Sequence, residues 1–127
     1  MKTWLSTWKS SQQPRKQRKY VHEAPYHVQG NFLSAHLSKD LRKKYQRRHI
    51  RIRKGDKVKI LKGQFKGQEG KIERVDLKNL RVYLTKIEVD KKDGSKVKVP
   101  IRPANLVILE LDTNDKRRME KLKELKV

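Results

Sequence analysis

The sequence predicts a mainly β protein: one small barrel with short helices, a basic helical arm before it and a short helix after it. Three observations lead there. Apolar residues alternate with lysines through Lys57-Val58-Lys59-Ile60, the period of a half-buried strand. Four of the six glycines, Gly55, Gly63, Gly67 and Gly70, fall within sixteen residues and punctuate that stretch into turns. Each has a lysine beside it: Lys54, Lys62, Lys66 and Lys71. Finally, 127 residues of which 34% are hydrophobic leave room for one domain with arms.

Charge divides the chain. Lys and Arg total 35 against 14 Asp and Glu, a net charge of +21. Residues 1–53 carry +12, residues 54–111 carry +7 and residues 112–127 carry +2. A small chain this basic repels itself unless it meets a polyanion. The middle segment has the mixed charge of a folded domain. No apolar run approaches the ~20 residues of a membrane-spanning helix, and the N-terminus does not read as a secretory signal. The cations do not lie along one strongly amphipathic helix, so a membrane surface is the weaker polyanion. Cysteine is absent, which excludes disulfides and thiolate zinc sites. His22, His27, His36 and His49 show no metal spacing, nucleophile or carboxylate cluster beside them. The sequence therefore predicts no enzyme, metal or cofactor.

Four segments follow in order: a basic arm over 1–23, a helical segment packing on the barrel over 24–53, the barrel over 54–111 and a helix over 112–127. In the arm, Ser11 and Pro14 open a short helix, with Ser11 as cap. Arg15, Lys16, Arg18 and Lys19 form a basic patch ending in Tyr20. Trp4 and Trp8 are one helical turn apart and suit packing against protein. With so few core residues, 1–23 is expected to be disordered without a partner.

Pro25 starts a helical turn that Gly30-Asn31 ends, and Phe32, Leu33 and Leu37 anchor the arm. Ser38 caps a helix over 39–47, with Asp40 in its first turn. Leu41 and Tyr45 form its buried stripe. Arg42, Lys43, Lys44, Arg47 and Arg48 crowd its other faces and its exit, with no glutamate to offset them. Phosphates opposite would remove that repulsion.

Strands are expected over 57–61, 71–76, 81–84, 95–101 and 106–109, preceded by the alternating His49-Ile50-Arg51-Ile52-Arg53. The inward set is Val58, Ile60, Ile72, Val75, Leu80, Val82, Leu84, Val97, Val99, Ile101, Val107 and Leu109. Residues 76–79 make a turn. Residues 90–94 make a hairpin tip, with Gly94 supplying positive φ. Asp112 or Thr113 caps the last helix, whose thin stripe is Met119, Leu122 and Leu125. That helix reads as a loosely docked or frayed tail.

The run Lys54-Gly55-Asp56, an alternating strand, Gly63-x-x-x-Gly67 and Gly70-Lys71-Ile72 resembles the KOW motif of small SH3-like barrels. The resemblance widens to about residues 12–120. It rests on Leu37-Ser38-Lys39-Asp40-Leu41-Arg42-Lys43-Lys44-Tyr45, on Arg15-Lys16-Gln17-Arg18-Lys19, on Ala24-Pro25 and on Pro100-Ile101-Arg102-Pro103-Ala104-Asn105-Leu106. On these residues the chain resembles the universal large-subunit ribosomal protein family number twenty-four, archaeal form, whose eukaryotic form is number twenty-six. Arg102 and Ala104 stand where the family usually has His and Ser.

The resemblance implies a cytoplasmic, ribosomal protein that binds large-subunit ribosomal RNA directly. It implies that the protein nucleates early subunit assembly and sits near the peptide exit tunnel, among other ribosomal proteins. Joined to the charge pattern, it makes Arg15, Lys16, Arg18, Lys19, Arg42, Lys43, Lys44, Arg47, Arg48, Arg51, Arg53, Lys54, Lys62, Lys66 and Lys71 the expected RNA contacts. Gly55, Gly63, Gly67, Gly70 and Gly94 are the expected turn residues. RNA grooves give side chains little sequence to read, so shape and backbone should dominate. The alternative is a KOW-type transcription elongation module that binds nascent RNA or protein.

Overall fold

A computed structural model describes residues 4–5 and 11–124. Trp8 and Leu125, expected to pack, lie outside the described residues. The elements are α1 (Pro14–Glu23), α2 (Tyr26–Phe32), β1 (Ser34–Leu37), α3 (Lys39–Tyr45), β2 (His49–Arg51), β3 (Lys57–Ile60), β4 (Glu69–Asp76), β5 (Arg81–Leu84), β6 (Glu88–Asp90), β7 (Lys96–Lys98), β8 (Leu106–Glu110) and α4 (Lys116–Glu124).

Six strands form one sheet in the order β2-β1-β8-β3-β4-β5. A register shift between Ile72 and Arg74 marks an irregularity in the β4–β5 pairing. A two-way backbone bridge then joins Val82 to Ile101, each N–H to the other's carbonyl at 2.9 Å. Together these wrap the sheet towards a small barrel. The core is aliphatic, with Leu33, Leu37, Ile52, Val58, Ile60, Ile72, Val82, Leu84, Leu106 and Ile108 all buried. β6 and β7 pair only with each other.

The sheet reaches back to Ser34, so the segment expected merely to pack on the barrel supplies two of its strands. β1 pairs antiparallel with β2 and parallel with β8. In β8 the inward residues are Leu106 and Ile108, with Val107 and Leu109 half-buried, one step out of phase with expectation. Every residue from Leu106 to Leu109 is apolar, so alternation could not set the phase. Pairing with β1 and β3 sets it instead. Val97, expected inside, is exposed on β7 opposite Val89. Only residues 96–98 of the strand expected over 95–101 pair with β6.

Several local signals act as read. Ser38 Oγ accepts the Leu41 N–H at 3.4 Å and caps α3, which ends on Gln46 in the left-handed region at φ 55°. Pro14 occupies the first turn of α1, but the cap is Gln13, without a side-chain bond. Ser11 Oγ accepts the Gln13 N–H instead. Within the arm, residues 14–23 form α1. Although α1 buries no residue, Tyr20 sits 5.0 Å from the Trp4 ring and edge-on to Phe32 at 6.3 Å. Helix α2 runs through Gly30-Asn31 to Phe32.

Two carboxylates shape turns. Asp76 accepts the backbone N–H groups of Lys78 and Asn79 and the Asn79 side-chain amide. The Asn79 side-chain bond, more than any other contact, holds its carboxyl below the usual carboxylate range. Asp93 accepts the Ser95 hydroxyl and N–H, which likewise lower its pKa.

The C-terminal helix departs most from expectation. It is fastened rather than frayed. Leu122 is fully buried, worth about 1.5–3 kcal/mol for a side chain of this kind. Arg118 is buried as well. Its Nη1 and Nη2 donate to the two carboxylate oxygens of Asp56, each at 2.7 Å, and Nη2 also donates to the Arg51 carbonyl at 3.0 Å. Asp56 further accepts the N–H groups of Arg53 and Asp112 at 3.1 and 2.9 Å. The hydrogen bonds to both carboxylate oxygens and from the two Nη groups offset much of the water this pair loses, although the buried Nε of Arg118 has no partner. Asp115, not Asp112 or Thr113, caps α4 by accepting the N–H groups of Arg117 and Arg118.

Candidate nucleic-acid interface

The expected contact residues fall on four parts of the fold. On α1, Arg15, Lys16, Arg18 and Lys19 are all exposed. No acid lies in the first turn of α1, so its first cations oppose the positive end of the helix dipole. That arrangement is unfavourable in water and is relieved by an anion. On α3, Lys43 and Lys44 are exposed and Lys44 lies over the Tyr45 ring at 5.3 Å. Arg42 is half-buried, and its Nε lacks a hydrogen-bond partner. Arg48 is exposed just beyond the helix.

The third part is the loop between β3 and β4. Gly63 and Gly67 hold φ of 103° and 88°, a region costly for any side chain with a Cβ. The Gly67 N–H donates to the Ile60 carbonyl at 2.8 Å, and Phe65 packs against the core. The loop is thus closed and anchored, with Lys62 and Lys66 exposed on it. Lys62 also lines a cavity of about 370 Å³ with Arg81 and Arg102 and no carboxylate. Sequence reasoning missed Arg81. Its outward alternation with buried Val82 was the available signal. Gly55 and Gly94 have positive φ too, but Gly70 does not. Gly70 lies within β4 rather than in a turn. A Cβ there would meet only ordinary contacts, 3.7 Å from Leu84.

The fourth part is the seam between β2 and α4. Arg47, His49, Arg51 and Arg53 line one cavity of about 410 Å³ together with Lys121. Arg53 also pairs with Asp115 at 2.7 Å, so its charge is already shared within the chain. Lys54 lies on the other side, in a larger cavity of about 680 Å³ that includes Glu73, Asp112 and Asp115. Lys71 faces out from β4, opposite Lys57. Lys57 has Glu69 and Glu110 within 3.8 Å. The fold does not gather the expected contacts into one pocket. It spreads them over arm, helix, loop and seam, a geometry suited to an extended ligand. Among the described residues no cluster of three or more His, Cys, Asp or Glu forms a metal site.

A small basic barrel with cationic extensions has the surface chemistry suited to a polyanion. Residues 11–124 match the family of ribosomal proteins described as eukaryotic L26 and archaeal L24. The chain is 50% identical over 112 residues to the large ribosomal subunit protein uL24 of Methanosphaera stadtmanae, covering 88% of this chain and 96% of that one. It is 48% identical to the protein of the same name in Methanoculleus marisnigri and 46% identical to that in Methanospirillum hungatei, each over 88% of this chain and 93% of the relative. The chain belongs to this family of ribosomal proteins, which are structural and not enzymatic.

Proposed function

We propose that the chain is a structural constituent of the large ribosomal subunit, on the cytoplasmic ribosome, and that it binds large-subunit ribosomal RNA directly. The observation that carries the RNA reading is the placement of carboxylates. Lys57 and Lys98 each have two glutamates close by. Among the described residues, the cations of α1 and of the β3–β4 loop, and Arg47, Arg51 and Lys121 at the β2–α4 seam, have no carboxylate within ion-pair distance, while Arg53 and Arg118 are paired. Cations held without partners on a fixed scaffold bind phosphate at little reorganisation cost. Family resemblance adds an early role in assembly, a position near the peptide exit and contacts with neighbouring ribosomal proteins.

Sedimentation of the tagged chain on a sucrose gradient tests the placement. Co-migration with large-subunit particles and their early precursors is expected. Co-migration with RNA polymerase would instead select the elongation-factor alternative. Filter binding across a salt series tests the contacts. Changing Lys62 and Lys66 to Ala should lower the log–log salt slope by about one to two. The same change at Lys91 and Lys92, beside Asp90 and Asp93 on the hairpin tip, should matter less. The opposite order would place the RNA on the other side of the barrel.

A further inference from the structure

We infer that α4 completes a binding pocket for an RNA backbone phosphate at the β2–α4 seam, with Arg47, Arg51 and Lys121 as its ligands. The inference rests on the RNA-binding reading above and extends it to a helix that reading does not use. Two cavities flank the buried Arg118 and differ in charge. The larger has three carboxylates on its wall. The smaller, of about 410 Å³, has none.

Within the smaller cavity, two of the guanidinium groups are already neutralised, Arg118 by Asp56 and Arg53 by Asp115. Arg47, Arg51 and Lys121 have no carboxylate within ion-pair distance among the described residues, and His49 stands beside them. Three like charges around one concavity repel, and a single doubly accepting oxyanion reverses the sign of that energy.

The positions of the ligands are set by packing. Arg118 and Leu122 are one helical turn apart and point inward. Lys121, three residues from Arg118, is therefore carried to the rim. The Arg51 guanidinium lies against the backbone of α2 at Gly30, where a Cβ would collide with it. The buried Arg118–Asp56 pair thus has a use beyond stability: it fixes the depth and rotation of α4 so that Lys121 meets Arg47 and Arg51 across the cavity.

The test is filter binding of the full chain to large-subunit ribosomal RNA transcribed in vitro, with unrelated RNA of equal length as competitor. Arg47→Ala with Lys121→Ala should weaken binding roughly tenfold and lower the salt slope by about 1.5, the loss of two contacts. Lys121→Arg should restore most of Lys121's share. Arg47 and Lys121 lie outside the core, so an unchanged melting curve accompanies these effects. If the double variant binds like the wild type while the Lys62/Lys66 variant is weakened, the pocket is not used and the inference is overturned alone. A wild-type chain with no preference for large-subunit RNA would overturn the RNA reading and the pocket with it.

Discussion

The two ends of the chain are both short basic helices, yet they are held in different ways. α1 buries none of its own residues and rests on aromatic contacts of Tyr20 with Trp4 and Phe32. α4 has similar composition but drives Arg118 and Leu122 into the barrel. The difference is one acid and one leucine. Asp56, in the turn before β3, gives α4 a buried partner; among the described residues no cation of α1 is buried against a carboxylate. A basic helix stays on a basic protein only where it finds a specific counter-charge or enough apolar area.

The strongest way to break this contrast is Arg118→Ala. It leaves the Asp56 carboxylate buried without its cation and should cost about 3–5 kcal/mol. Thermal melting should drop sharply and α4 should lose amide protection. A shift of a degree or two would mean that the pair contributes little.

Gly55→Ala probes the same clasp from the other side. Gly55 holds φ of 96°, and a Cβ there would come within 2.7 Å of Asp112 Oδ2. Strain of about 1–3 kcal/mol is expected, measured by denaturant titration. An unaltered midpoint would show that the Asp112 segment yields freely.

At the other end, Tyr20→Ala removes aromatic contacts worth about 0.5–1.5 kcal/mol. Helix α1 should lose exchange protection while the global melt hardly moves. A global loss equal to that of Arg118→Ala would erase the distinction between the ends.

The smallest effect is a pH control remote from both helices. Asp76 has its folded pKa lowered, chiefly by the Asn79 side chain. Its contribution is therefore complete above the unfolded carboxylate pKa and is lost as pH falls through the lower folded value. Asp76→Asn should flatten a slight decline in melting temperature over that acid range. An identical decline in the variant would assign the decline to other carboxylates.

Much of this fold was legible where the sequence alternates. β3, β4 and β5 and the cap of α3 follow from spacing and one serine. β1 was not legible, because Ser34-Ala35-His36-Leu37 is short and one of its two partners, β8, lies some seventy residues away. The phase of β8 was hidden by its uniform apolarity. The candidate contacts were readable as clustered cations on the arm and the Ser38 helix and as lysines beside the barrel glycines, but the grouping of Arg47 and Arg51 with Lys121 was not. In Lys116-Arg117-Arg118, nothing local says which cation is buried. Its partner Asp56 is 62 residues away.

The place of β8 has a bearing on how the protein is made. It lies between β1 and β3, so the pair β2–β1 and the trio β3–β4–β5 share no ladder until Leu106–Glu110 arrives. Synthesis runs from the N-terminus, and the middle of the sheet is therefore the last strand to emerge. A chain stopped at Arg102 is expected to show no cooperative melt, since it holds two separate ribbons. Until Leu106–Glu110 is translated, the basic β2–β1 ribbon and the β3–β4–β5 ribbon are expected to stay independent of each other.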